Sequence, residues 1–243
     1  MIYRLPGVYG KWSRPNYNSV VATFCHNIAK GIPIRIDNPN HILKLIYIDD
    51  VVSDIEANIN NKFTGFNYNE IKNQYSITIK DLADNIYMFK NSRNSLITNE
   101  VGTGFERTLY ATFMSYFDKD DFVYSLKSNV DDRGNFVEML KTKNSGQFSF
   151  FTAHPGITRG GHYHHTKSEK FLVIKGNALF KFRNIITDEK HEVFTDESEP
   201  VVVETIPGWS HDITNVGNKE MIVMLWANEI FDHENPDTFP SQV

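Results

Sequence analysis

Four side chains in the second half of the sequence are of the types that bind transition-metal ions. His162 and His164 are separated by one residue, Glu169 follows them, and His211 lies much later in the chain. On a β-strand, residues i and i+2 point to the same face, so the two neighbouring histidines can reach one ion. Three imidazoles and one carboxylate are a sufficient ligand set for Zn²⁺ or a similar divalent ion. The sequence therefore predicts a metal site at these four residues.

Short strands and turns must position these ligands. Glu169 opens an apolar run that is typical of a strand and that ends at the turn residue Gly176. The turn signal Pro207-Gly208 precedes His211, which is therefore expected to enter from a later strand. One strand pair and one distant strand that converge on an ion are what the interior of a small barrel provides.

The same spacing resembles the two sequence motifs of the cupin family. The first motif is matched by Gly156, His162, His164, Glu169 and Gly176, and the second by Pro207, Gly208, His211 and Asn215. In the second motif the proline adjoins the glycine, where the family usually has one residue between them, so the geometry of this turn stays open. A polar surface turn would explain a single His-x-His pair, but it does not explain two motifs in register. The resemblance implies a metal-binding all-β barrel, or jelly roll.

Composition narrows the class of protein. The chain has 243 residues, of which 40% are hydrophobic, so it can form one large or two ordinary domains. Its net charge of -5 and its lack of a long basic run argue against nucleic acid as a partner. The single cysteine, Cys25, fits a reducing compartment. No signal-peptide pattern opens the sequence, and no apolar run approaches the ~18 residues of a membrane span. We therefore expect a cytoplasmic protein with no membrane partner.

The first half of the sequence predicts alternating helices and strands. Apolar residues at helical spacing predict helices over 17–30 and over 106–117. Capping residues predict the starts of two more helices, one at Asp49-Asp50 and one at Thr78-x-x-Asp81. The helix at Asp49-Asp50 is expected to have an apolar face of Val52, Ile55 and Ile59. The expected face of the helix at Thr78 is Leu82, Ile86 and Phe89, and that of the helix over 106–117 includes Leu109 and Phe113. Strands are predicted over 2–5, 42–48 and 75–78.

The period changes near Phe122, where short alternating strands begin. We place the domain boundary at the charged tetrad Asp118–Asp121, which gives an α+β domain over 1–118 and a cupin domain over 119–243.

Three segments of the first half, YRLPGVYGKW, NSVVATFCHNIAKGIPI and LIYIDDVVSDI, resemble the C-terminal portion of extended short-chain dehydrogenases/reductases that act on nucleotide sugars. The resemblance implies that residues 1–118 are a remnant of a Rossmann-type reductase, namely its substrate lobe. The Gly-rich dinucleotide loop and the Tyr-x-x-x-Lys pair of that family do not occur in the sequence. We therefore expect no NADPH-dependent reduction by this chain alone. The chain would be either a truncated form of such an enzyme or a natural remnant of it.

Taken together, the two halves resemble the CapF-like bifunctional enzymes of capsular polysaccharide biosynthesis over essentially the whole length. The resemblance implies that the cupin domain epimerises C3 of a UDP-4-keto-6-deoxy-N-acetylhexosamine. The family then reduces C4 with NADPH, towards UDP-N-acetyl-L-fucosamine. A metal ion with an open coordination position would stabilise the enolate oxygen, whereas a tetrahedral ion with four protein ligands would be structural. Both roles stay open at this point.

A second segment of the cupin half, DDRGNFVE, resembles the RG-x-F-x-E segment of the nucleotide-sugar 3,5-epimerases of the rhamnose pathway. The resemblance implies a substrate-binding role for Arg133, Phe136 and Glu138, and a homodimer that shares this segment across its interface. Arg133 offers a bidentate fork for a diphosphate, and Phe136 offers a face for the uracil. The alternative is a hairpin turn with a surface charge pair at Asp132-Arg133. Arg159 is either a second diphosphate ligand or a solvated side chain.

The general base cannot be identified from the sequence. His154, Lys181 and Asp212 are candidates, while His26, His41 and His233 are interpreted as surface or core residues.

Two other functions compete with the epimerase. The same ligands suit Fe²⁺ in a cupin oxygenase, which oxygen uptake would reveal. A non-catalytic module that binds a sugar nucleotide would bind a UDP-sugar tightly without exchange at C3.

Overall fold

The computed structural model describes residues 1–62, 64–66 and 68–243. It divides into two compact units, and each is described by itself. The first unit comprises Met1–Ser95 and Asn99–Tyr124, and the second comprises Leu96–Thr98 and Ser125–Val243. The tetrad Asp118–Asp121 thus lies inside the first unit, where Asp118 and Asp121 form the capping box of a 3₁₀ helix, Lys119–Phe122.

The first unit combines helices with two small sheets. Its elements are β1 (Ile2–Tyr3), β2 (Gly7–Tyr9), α1 (Val20–Ala29), β3 (Ile42–Tyr47), α2 (Ile48–Asn58), β4 (Tyr68–Asn69), β5 (Gln74–Thr78), α3 (Ile79–Ser95) and α4 (Gly104–Met114). Strand β3 pairs with β2 in parallel and with β5 in antiparallel orientation, and β1 pairs with β4 in parallel.

Local capping explains where two of the helices begin. The Ser19 side chain accepts a hydrogen bond from the backbone N–H of Ala22, so α1 begins at Val20 and not at the predicted Tyr17. The Thr78 hydroxyl accepts a hydrogen bond from the backbone N–H of Asp81, which confirms the predicted start of α3.

The core of the first unit confirms two predicted helix faces and corrects one. The predicted apolar residues of α3 and α4 are buried together with Val21, Phe24 and Ile28 of α1. In α2, however, the buried residue is Val51, while the three residues predicted for its apolar face, Val52, Ile55 and Ile59, are exposed. Val51 is buried because it packs with Ile46 and Ile71 in a separate small cluster.

The second unit is an antiparallel β structure. Its strands are β6 (Ser128–Asp131), β7 (Gly134–Thr142), β8 (Gly146–Ala153), β9 (Thr158–Tyr163), β10 (Glu169–Lys175), β11 (Asn177–Asn184), β12 (Lys190–Asp196), β13 (Val202–Glu204), β14 (Trp209–Asn215), β15 (Met221–Ala227) and β16 (Phe239–Pro240). They form a six-stranded sheet, in the order β13-β10-β15-β8-β7-β6, and a five-stranded sheet, in the order β12-β11-β14-β9-β16.

The order of the strands in the two sheets is that of a jelly roll. The chain passes from β8 in one sheet to β9 in the other, returns to β10, and then crosses to β11. Aromatic residues from both sheets fill the interior, among them Phe151, Phe171, Phe180 and Phe182. The predicted all-β barrel of the second half is therefore confirmed as a jelly roll.

Residues Leu96–Thr98 belong to the second unit, which the sequence did not predict. The backbone N–H of Thr98 donates to the carbonyl of Lys141, and the N–H of Lys141 donates to the carbonyl of Leu96. These bonds attach the segment to β7, in parallel orientation. No helix among the described residues is both long enough and apolar enough to span a bilayer.

Candidate metal centre and its cavity

Strands from both sheets bring the four predicted ligands together. His211 of β14 is the cross-strand partner of His162 of β9, His164 follows the end of β9, and Glu169 is the first residue of β10. One potential ligand atom from each residue can be chosen so that all four lie within 4.8 Å of one another. The three imidazole centroids are 4.7 to 5.2 Å apart. The geometry is that of a cluster around one point.

The carboxylate of Glu169 lies at the centre of the cluster and is buried. Its Oε2 atom is 3.2 Å from His164 Nε2 and 3.3 Å from His211 Nε2. Burial acts to raise the pKa of Glu169, but His164 and His211 lower it below its ordinary range. Burial, followed by the effect of His211, lowers the pKa of His162 to about 4. An ionised carboxylate and a neutral imidazole are the forms that bind a metal.

Two atoms of the cluster show that the residues present fit a divalent cation. The Nδ1 atom of His164 lies against the backbone carbonyl of Asp237, which only accepts hydrogen bonds, so Nδ1 carries a proton. In neutral His164 the Nε2 lone pair then faces a carboxylate oxygen, which is repulsive unless a cation lies between them. His211 Nε2 is also buried and makes no hydrogen bond to the described residues. A metal ion would satisfy both nitrogens.

Asp237, which the sequence analysis missed, holds the loop between β9 and β10. Its carboxylate accepts hydrogen bonds from the backbone N–H groups of His165, Thr166 and Lys167, at 2.7 to 2.9 Å, and from the Thr166 hydroxyl. Burial acts to raise the pKa of Asp237, but these donors lower it below its ordinary range. The same residue thus fixes both the loop and, through its carbonyl, the tautomer of His164.

The second predicted motif contributes backbone geometry. Gly208 has a φ of 80°, and its N–H donates to the carbonyl of His164 at 2.8 Å, so the Pro207-Gly208 turn supports the metal cluster directly. Asn215 is fully buried. Its side chain donates to the carbonyls of Ala153 and Lys219 and accepts from the N–H of Gly217, which closes the end of β14.

A cavity of about 650 Å³ in the second unit opens onto the cluster. His162, Glu169 and His211 line it. The four predicted substrate-binding residues also line it, and they are Arg133, Phe136, Glu138 and Arg159. The structure therefore brings the proposed ligands of the metal and of the substrate to one cavity, whose volume suits a small-molecule site.

The two arginines differ in their surroundings. Arg133 lies in the two-residue turn between β6 and β7 and pairs with Asp131, which it holds at a pKa of about 2. The hairpin turn considered from the sequence is therefore present, but its charge pair is formed with Asp131 and not with Asp132, and Arg133 lines the cavity as well. Arg159 is not a solvated side chain: it is 12% exposed, its guanidinium lies 5.2 Å from the Phe151 ring centroid, and its Nη2 makes no hydrogen bond within the described residues.

The three candidate bases are found in different places. His154 is exposed, lies 4.0 Å from Glu220 and is not part of the cavity lining. Lys181 is also absent from the lining, and its cross-strand neighbours are Glu192 and Asp212. Asp212 does line the cavity; burial raises its pKa, and its Oδ1 is without a hydrogen bond among the described residues. Only Asp212 is retained as a candidate.

The cavity lining also includes residues that were not predicted as site residues. Three of them are Lys167, Phe231 and His233, the last of which we had interpreted as a surface or core residue. The side chain of Lys167 is 7% exposed, and its Nζ is 3.9 Å from Glu169 Oε1. Lys167 could have been identified because it lies two residues before Glu169, and residues at this spacing in an extended chain point to the same side. Nothing in the sequence marks Phe231 or His233 as site residues.

Comparisons with known proteins agree with this architecture. The family described as polysaccharide biosynthesis C-terminal domain matches residues 129–239. A Pseudomonas aeruginosa protein named UDP-2-acetamido-2,6-beta-L-arabino-hexul-4-ose reductase is 57% identical over 242 residues, which are 100% of this chain and 65% of that protein. The chain thus spans less than two thirds of this relative's length.

Solved structures decide the family. A structure of CapF with the inhibitor 3-isopropenyl-tropolone is 41% identical, with a TM-score of 0.93, over 99% of this chain and 70% of that one. The chain belongs to the CapF family. A structure of the capsular polysaccharide assembling protein CapF from Staphylococcus aureus gives a TM-score of 0.92, over 99% of this chain and 71% of that one. The resemblance to CapF inferred from the sequence is confirmed.

We expect Asp237→Asn to destabilise this CapF family member. The amide offers one acceptor oxygen where the carboxylate uses both, so two or more hydrogen bonds to the loop weaken. The expected loss is about 2 kcal/mol in the free energy of unfolding of the second unit, measured by chemical denaturation. Asp232→Asn is the matched control, because this exposed carboxylate accepts from the backbone N–H of Glu234. Equal stabilities of the two variants would contradict the role of Asp237.

Proposed function

We propose that the second unit is a metal-dependent nucleotide-sugar epimerase of capsular polysaccharide biosynthesis, acting in the cytoplasm. It would invert C3 of a UDP-4-keto-6-deoxy-N-acetylhexosamine. The observation that carries the proposal is the single cavity shared by the metal-type cluster and the two arginines. The name of the Pseudomonas relative supports the substrate class, since it describes a UDP-linked amino sugar with a ketone at C4.

The first unit is proposed to be the substrate lobe of a reductase domain. The support is the resemblance of its segments to extended short-chain dehydrogenases/reductases, and the name of the Pseudomonas relative, which is a reductase. In the complete parent enzyme this domain would reduce C4 with NADPH after the epimerisation.

The cavity residues have separate tasks in this proposal. His162, His164, Glu169 and His211 would hold the ion, which we propose to be Zn²⁺ and which supplies a Lewis acid for the C4 oxygen when bound. Arg133 and Arg159 would bind the diphosphate with charge-assisted hydrogen bonds, and Phe136 would stack on the uracil. The cavity walls include Phe151 and Phe171, and such apolar walls lower the effective dielectric around these charges.

The inhibitor in the CapF structure supports a metal-centred site. A tropolone carries a ketone and an adjacent acidic hydroxyl, and two neighbouring oxygens of this kind chelate divalent ions. Its anion also resembles an enolate, because the negative charge is shared between the ring and the oxygens.

A homodimer through the second unit is part of the same proposal, since DDRGNFVE resembles a segment that related epimerases share between subunits. Light scattering should report twice the chain mass of 28.0 kDa. A monomer throughout the micromolar range would exclude the dimer.

We predict one zinc ion per chain, bound in a way that stabilises the second unit. His211→Ala should lose most of the zinc and lower the melting temperature, because metal binding is coupled to folding. His165→Ala is the matched control, since His165 is exposed and lies outside the cluster although it is next to His164. Elemental analysis and thermal melts with and without a chelator measure both effects. A chelator that leaves the melting temperature of the zinc-loaded protein unchanged would contradict the prediction.

We predict exchange of the C3 proton with solvent in the absence of NADPH, because epimerisation involves no net redox change. In D₂O, deuterium should appear at C3 of the UDP-4-keto sugar, and mass spectrometry measures its rate. His162→Ala should lower the rate by about 10²-fold or more. The control is Glu204→Gln, which should leave the exchange rate unchanged. Glu204 is an exposed carboxylate of β13 that pairs with Lys170. If no deuterium appears while the metal is fully bound, the epimerase proposal fails and the binding module becomes the leading interpretation.

A further inference from the structure

We propose that Lys167 is a catalytic residue of the cavity, which donates a hydrogen bond to the C4 oxygen of the substrate and stabilises the charge that develops there. The inference rests on the proposed epimerisation and adds to it a second cationic group beside the ion.

The surroundings of the Lys167 ammonium group carry this inference. The side chain is 7% exposed, and Nζ lies 5.1 Å from the centroid of the Phe231 ring. Its nearest carboxylate oxygen, Glu169 Oε1, is 3.9 Å away, which is too far for a hydrogen bond. Within the described residues Nζ makes no hydrogen bond, although an ammonium group has three donors. Because Lys167 lines the cavity, an oxygen of a ligand bound there could accept a hydrogen bond from its ammonium group.

The backbone of Lys167 is held in place before any substrate binds. Its N–H donates to Asp237 Oδ2 at 2.8 Å, within the group of bonds that fixes the loop between β9 and β10. The ammonium group itself lies over the Phe231 ring and 3.9 Å from Glu169 Oε1, which places it next to the metal cluster. A donor that is already positioned needs no reorganisation during the reaction, which is the condition for effective stabilisation of an oxyanion.

The positions of the other cations indicate how the substrate lies. Arg159 precedes His162 by three residues on β9, which corresponds to roughly 10 Å along the strand. Its Nη2 is 3.9 Å from Asp131, the partner of Arg133, so the two arginines lie at the same end of the cavity. A diphosphate bound there directs the attached sugar towards His162 and Lys167. The second unit therefore has one cationic end for the phosphates and one for the sugar ketone.

The chemical step balances without any further reactant. The C3–H bond breaks and its proton passes to a base, while the electron pair forms a C3–C4 double bond and places negative charge on the C4 oxygen. Lys167 donates a hydrogen bond to this oxygen and keeps its proton. Return of a proton to the opposite face of C3 restores the ketone. Removal of one such donor lowers kcat by about 10² to 10³-fold.

The test compares Lys167→Gln with Lys167→Arg and with a control variant, Lys170→Gln. Lys170 lies on β10 close to Lys167 in sequence, but its side chain is about half exposed and pairs with Glu204. The first measurement is kcat and KM for C3 exchange in D₂O. We expect Lys167→Gln to lower kcat by about 10²-fold with little change in KM, Lys167→Arg to restore part of it, and Lys170→Gln to match the unchanged protein.

The second measurement does not depend on epimerisation. Tropolone is titrated into each zinc-loaded protein, and its binding is followed by absorbance. Because Lys167 would donate to the tropolonate oxygens, we expect Lys167→Gln to bind it at least about tenfold more weakly, with Lys170→Gln unchanged. Zinc content is measured for every variant and should be equal.

The outcomes separate the two proposals. If the unchanged protein shows no C3 exchange, the proposed function fails, but the tropolone titration still decides the role of Lys167. Equal tropolone affinities of the unchanged protein and Lys167→Gln, or no binding by either, overturn the inference. Loss of zinc from Lys167→Gln also overturns it, because Lys167 would then act through Glu169 on the metal site.

Discussion

The buried carboxylate of Glu169 is the constraint on which the second unit depends. An ionised group at 6% exposure has lost most of its hydration, which costs several kcal/mol unless other charges and donors replace the water. The replacement comes from His164 and His211, which approach one of its oxygens, and from Lys167, which lies near the other. In the neutral form of His164 a lone pair would face the carboxylate, and a cation bound between them would complete these surroundings.

This constraint explains several features of the fold outside the cluster. His162 and His211 are opposite each other on neighbouring strands, so a slip of one residue in the pairing of β9 and β14 would turn one of them away from the cavity. The pairing has an irregularity between His211 and Asp212, immediately next to the ligand. The late strand β16 pairs with the end of β9, and Phe239 stacks on Tyr163 at 5.4 Å. Strand β9, which carries His162, thus has a neighbouring strand on each side.

The sequence predicted the features that depend on short-range periodicity. The ligand spacing follows the two-residue period of a strand, and the start of α3 follows from the side chain of Thr78. Features that depend on packing between distant segments could not be predicted. Val51 is buried because it packs against Ile46 and Ile71, which lie outside the helix. The spacing of apolar residues within α2 does not predict that contact.

The sequence also did not predict which strand residues face the cavity, or which backbone groups a carboxylate would bind. Lys181 was a plausible base from the sequence, but it does not line the cavity, and alternation along one strand does not say which face of the sheet borders a cavity. Asp237 lies in a polar segment, 232–237, without a periodic pattern, and its function depends on three backbone N–H groups some seventy residues earlier. Three of the four donors to this carboxylate are backbone groups, which cannot be recognised by residue type.

The distribution of charge in the second unit gives a reason for the position of the cavity. The whole chain carries a net charge of -5, yet Arg133, Arg159 and Lys167 all line one cavity. A metal ion in the cluster would add positive charge at one end, next to the single carboxylate of Glu169. Charges in a concave site with apolar walls act through a low dielectric and concentrate the field within it. Because the carboxylates of Asp131, Glu138 and Asp212 also line the cavity, the attraction of the proposed dianionic sugar nucleotide would depend on the two arginines at one end and on the bound ion at the other.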